Sequence, residues 1–101
     1  MFYKTIMAST KKYLDFVLGQ INGIDITYKK MMGEYLLYEN GVLFGGIYDD
    51  RLLIKSTEKA KELLPNAEYA TPYDGAKPMI FCDFVDDSGQ LTDFIKKLTN
   101  K

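Results

Sequence analysis

The 101-residue chain has no histidine, no tryptophan and a single cysteine. Without histidine it lacks the commonest general base and metal ligand. One thiol, Cys82, makes neither an internal disulfide nor a zinc site. No metal, cofactor or catalytic residue is therefore expected. Neither charge is in excess: 13 Lys and Arg stand against 14 Asp and Glu, for a net charge of −1. No overall positive field draws in nucleic acid, which is not an expected partner. No apolar run approaches the ~20 residues of a membrane span. The opening MFYKTIMAST has neither an apolar h-region nor a cleavage site, so the cytoplasm is the expected compartment. What remains is an ordinary globular composition, 47% apolar and 27% charged, with room for one core.

Residues 1–8 are expected to be an N-terminal extension, with Met7 as an alternative start, and 9–101 a single domain. Ser9 is a candidate helix N-cap. Tyr13, Leu14, Val17, Leu18 and Ile21 follow at helical spacing, and Asn22-Gly23 ends the helix.

The stretch from Tyr28 to Ser56 organises the rest. Residues alternate in a strand-like period from Ile26, and Gly33 reads as a bulge or kink within that strand. Asn40-Gly41 is a strong hairpin signal and Asp49-Asp50 a second turn. If Glu39 pairs with Val42, Leu37 faces Phe44. If Tyr48 pairs with Arg51, Ile47 faces Leu52, Gly46 faces Leu53 and Gly45 faces Ile54. One sheet face then carries Leu36, Tyr38, Leu43, Ile47, Leu52 and Ile54. The other carries Tyr35, Leu37, Phe44, Tyr48 and Leu53. Both faces are apolar, whereas a sheet with one wet side alternates, so the second face needs a cover.

Thr57 caps a short helix that ends before Pro65-Asn66. Residues 67–77 read as a loop with a short edge strand, and 78–85 as an apolar strand. Asp87 and Gln90 resemble a capping box ahead of a last helix lined by Leu91, Phe94, Ile95 and Leu98. The expected fold is α+β, two layers, with an antiparallel sheet of about five strands in the order helix–strands–helix–strand–helix.

Three segments, Lys30-Met31-Met32-Gly33, Tyr38-Glu39-Asn40-Gly41-Val42-Leu43-Phe44 and Leu52-Leu53-Ile54-Lys55, resemble the TfoX/Sxy N-terminal domain family. That family's pattern is a basic residue, Met-Phe-Gly-Gly, an Asp/Asn-Gly hairpin, a Phe-centred strand and a Leu-Tyr-Leu-Lys strand. Met32 stands at its Phe and Glu34 at its second Gly. The likeness runs from Ser9 through the last helix and implies a two-layer domain on an antiparallel sheet. The expectation is a short stand-alone member, without the second domain of the longer members associated with natural competence.

Adjacent carboxylates at Asp49-Asp50 and Asp86-Asp87 suit a turn and a helix start better than catalysis. Glu34 and Arg51 are expected to form a surface salt bridge. Gly45-Gly46 lies mid-strand, unlike a phosphate cradle, and points to close packing. Cys82 reads as a core residue. The leading functional expectation is a regulatory interaction module acting through self-association or an unknown protein partner. Its contacts would be Tyr35, Leu37, Phe44, Tyr48 and Leu53. A second reading is a small-molecule binding domain or an enzyme of unknown chemistry, using Met32, Gly33, Glu34 and Tyr73. A third is DNA binding through Lys11, Lys12, Lys29 and Lys30, which charge and salt dependence would reveal.

Overall fold

A computed structural model describes residues 9–99, so the expected extension over residues 1–8 lies outside the described residues. Helices α1 (Lys11–Gln20), α2 (Glu58–Leu63) and α3 (Ser88–Thr99) accompany strands β1 (Ile26–Met31), β2 (Glu34–Glu39), β3 (Val42–Ile47), β4 (Leu52–Ile54), β5 (Tyr69–Ala70) and β6 (Met79–Phe81). The strands form one antiparallel sheet in the order β1-β2-β3-β4-β6-β5. The α+β class is as the sequence predicts, with six strands in place of about five.

The first four strands are joined by three tight turns. Met32-Gly33, Asn40-Gly41 and Asp49-Asp50 each place two successive residues at positive φ, from 51° to 84°. This is the geometry that matches the twist of an antiparallel hairpin. Gly33 is therefore a turn residue and not a bulge within one strand. The expectation missed this because Met32 is not among the residues that adopt positive φ cheaply.

The sheet's bulge lies elsewhere. Tyr38 pairs with Leu43, but Leu37 pairs with Gly45, leaving Phe44 as the extra residue in β3. The expected Leu37–Phe44 pairing is displaced by one position. Between β3 and β4 the register is as read, with Gly45, Gly46 and Ile47 opposite Ile54, Leu53 and Leu52. A one-residue shift moves side chains to the other face, so the two faces exchange partners at Phe44. The helix-side core combines Tyr35, Leu37 and Phe44 with Ile47, Leu52, Ile54 and Ile80. Against them pack Leu14 and Val17 of α1, Ala60 of α2, and Leu91, Phe94 and Ile95 of α3.

Both ends of α1 are pinned. Thr10, not Ser9, is the N-cap, its Oγ1 accepting from the Tyr13 N–H at 3.1 Å. Ser9 is buried instead: its N–H donates to the Gly33 carbonyl (2.8 Å) and its hydroxyl to the Ile47 carbonyl (3.1 Å). The Asp50 carboxylate accepts the Thr10 N–H at 2.8 Å, placing negative charge at the positive end of the helix. At the other end, the Gln20 carbonyl accepts from the Ser88 hydroxyl (2.6 Å) and the Thr92 hydroxyl (3.1 Å), joining α1 to α3. Asp87 caps α3 by accepting the Gln90 N–H at 3.0 Å. Thr57 likewise caps α2, through the Ala60 N–H.

Candidate functional site

The five proposed contact residues do not share a surface. Tyr35, Leu37 and Phe44 are buried in the helix-side core, while Tyr48 and Leu53 lie on the opposite face. The bulge at Phe44 separates them. Tyr35, Leu37 and Phe44 are almost wholly inaccessible, so the expectation of one five-residue contact face is corrected.

Among the described residues no helix covers the opposite face. Across it run Leu36, Gly46, Leu53 and Phe81, which pair strand to strand from β2 to β6, with Tyr38 and Leu43 beside them. Leu36, Tyr38, Leu43 and Phe81 are half-buried, and Leu53 is inaccessible. Gly46 is what lets Tyr48 lie across this face. A Cβ at Gly46 would stand 2.9 Å from the Tyr48 ring and 2.7 Å from the Tyr35 carbonyl oxygen. Gly45 is similarly crowded by the Leu53 carbonyl. The glycine pair serves close approach of strands and rings, as the sequence implies. Burial raises the Tyr48 phenol above its ordinary pKa, and the neighbouring Glu34, Tyr73 and Tyr38 act in the same direction.

Residues 71–78, between β5 and β6, form one wall of a groove at the margin of this face. Leu43, Tyr48 and Met79 line it from the sheet, Lys55 from the end of β4, and Tyr73 and Lys77 from the wall. Its volume of about 410 Å³ falls in the range of small-molecule sites. The Ser56 hydroxyl donates to the Pro78 carbonyl at 3.1 Å and fastens the wall to the start of α2. A second hollow of about 160 Å³ lies between the β2–β3 hairpin and the end of α3, lined by Glu39, Val42, Phe44 and Leu98. It is smaller than that range.

Of the expected ligand-pocket residues, Tyr73 lines the larger groove. Met32 and Gly33 form a hairpin tip, with Met32 95% exposed. Glu34 begins β2 beside Met31, and partial burial raises its carboxyl above the usual range. Arg51 does not pair with Glu34: its Nε donates to the Tyr48 carbonyl at 3.2 Å. Among the described residues the ion pairs are Lys11–Asp15 and Lys97–Asp93, both exposed.

The four expected DNA contacts are also divided. Lys29 pairs with Leu36 and Lys30 with Tyr35, which puts the two lysines on opposite faces of β1. Asp50 and Asp87 are engaged in holding helix ends. Among the described residues no three Asp, Glu or Cys side chains gather closely enough to hold a metal ion. Cys82 is buried, and burial pushes its thiol up to about 11 from an ordinary 9.0, so it carries no thiolate at neutral pH. Sequence reading offers Tyr73 and Lys77 together as pocket-lining residues, but it missed Lys55 and Met79 as their neighbours. They meet only because β6 returns beside β4, a pairing without a local turn signal.

Among the described residues no helix is long and apolar enough to cross a membrane. An uncharacterized 12.7 kDa protein in the trpE 5′ region of Spirochaeta aurantia is 32% identical over 92 residues, covering 89% of this chain and 80% of that protein. No solved structure matches the chain. The TfoX N-terminal domain matches residues 21–97, from the end of α1 to the last turns of α3. With the relative's identity and coverage beside that match, the chain belongs to the TfoX N-terminal domain family.

Proposed function

We propose that the protein is a cytoplasmic interaction module of regulatory type that pairs with a second copy of itself through the helix-free sheet face. The observation that carries this reading is the apolar row Leu36–Gly46–Leu53–Phe81, flanked by Tyr38 and Leu43, over which no helix among the described residues packs. Lys29 lies on the edge strand β1 of that face and Lys55 just after the end of β4. An apolar centre with charged margins is the anatomy of a protein interface. In a two-fold pair each face meets its own copy, so apolar rows oppose one another and charges stay at the rim.

Sedimentation equilibrium over a concentration series tests this. The unaltered protein is expected to approach twice its monomer mass. Leu36→Glu and Tyr38→Glu are expected to remain monomeric with unchanged circular dichroism, while Phe16→Ser on the outside of α1 pairs normally. A monomer at every concentration, or a dimer indifferent to both charged variants, overturns the reading. Phe44→Glu is unsuited to this test because it buries a charge beneath the helices.

A further inference from the structure

The groove beside residues 71–78 differs from the rest of the helix-free face in its charge. Two lysines, Lys55 and Lys77, line it, and no acidic residue does. Among the described residues neither lysine is in an ion pair. Glu34 is within electrostatic reach of Tyr48 but does not line the groove. In a chain of net charge −1, two lysines thus meet at one concave place. Around the lysines the walls are apolar or aromatic: Leu43 and Met79 below, Tyr48 and Tyr73 alongside. Tyrosine hydroxyls and lysine ammonium groups are both hydrogen-bond donors.

We propose that this groove is a binding site for a small amphipathic organic anion, a molecule with an apolar or aromatic body and one carboxylate or sulfonate. The body replaces water against Leu43, Met79 and the tyrosine rings. The anionic group is held by Lys55 and Lys77, which have no carboxylate to give up on binding. The Ser56–Pro78 hydrogen bond ties the end of the wall beside Lys77 to the start of α2. The groove shares Leu43 and Lys55 with the face proposed for self-association but not its central row, so probe binding and solution mass are separate readouts.

The test uses two fluorescent probes with the same rings, anilinonaphthalene sulfonate and its uncharged analogue phenylnaphthylamine, titrated into the full chain. The anionic probe is expected to bind at least about tenfold more tightly, the difference that charge-assisted hydrogen bonds supply. Lys55→Gln with Lys77→Gln should remove that preference and leave the uncharged probe unchanged. Amide shift mapping on the unaltered protein should place the anionic probe at Tyr48, Tyr73 and Met79. Equal binding of the two probes, retained preference in the lysine variant, shifts confined to another surface, or no binding of either probe overturns the proposal.

Discussion

The two faces of the sheet are both apolar, yet they are built from different side chains. The helix side is mainly aliphatic: Leu37, Ile47, Leu52, Ile54 and Ile80 meet Leu14, Val17, Leu91 and Ile95 with almost no access to water. The helix-free side mixes Leu36, Leu43 and Leu53 with Tyr38, Tyr48 and Phe81, and Lys29 and Lys55 lie at its margins. Tyrosine and lysine bury a ring or a stem while keeping a polar tip in water. A face made of such residues tolerates being wet and also being covered. The difference separates a surface that holds the fold together from the one proposed above for binding.

Paired substitutions should break that contrast most strongly. Ile47→Ala leaves a void under α1 and α3 and is expected to lower stability by about 2–5 kcal/mol in urea unfolding. Tyr38→Ser on the half-buried face should lower it by less than about 1 kcal/mol. Comparable losses at the two positions would erase the distinction drawn between the faces.

Alkali should act from within the helix-side core. The Cys82 thiol is raised in the fold, so the folded chain keeps its proton where the unfolded chain has lost it. Stability present below pH 9 should decline as pH rises toward about 11, by at most about 3 kcal/mol. Tyr13 and Tyr48 are raised mainly by burial and add to the decline above pH 10. Thermal melts from pH 8 to beyond pH 11, with Cys82→Ser lessening the slope, measure this. A flat profile would show that the thiol titrates as freely as in an unfolded chain.

Gly46→Ala sharpens the comparison from the other side. Its methyl group meets the Tyr35 carbonyl and the Tyr48 ring, which is expected to cost about 1–3 kcal/mol. It should also turn Tyr48 away from the helix-free face, visible as a change in tyrosine fluorescence. A melting temperature equal to that of the unaltered protein would mean that the close approach is not needed.

Much of this architecture was legible residue by residue. Asn40-Gly41 and Asp49-Asp50 marked their turns, Thr57 and Asp87 marked their helix starts, and the β3–β4 register followed from its turn alone. The two errors that mattered were also local in origin. Met32 hid a turn because it is not a usual turn residue, and Phe44 hid a bulge because its sequence looks like continuous strand. The bulge then moved Tyr35, Leu37 and Phe44 from the supposed binding face into the core.

The sequence by itself determined the α+β class, the family, two of the three hairpin turns and the caps of α2 and α3, because each depends on residues within a few positions of one another. Only the tertiary structure decided which face the helices cover, that Ser9 and Asp50 tie α1 to the turns, and that Lys55 and Lys77 line one groove. Those outcomes depend on side chains brought together across the sheet from distant parts of the chain. One extra residue at Phe44 was enough to exchange the faces, since strand side chains alternate with a period of two.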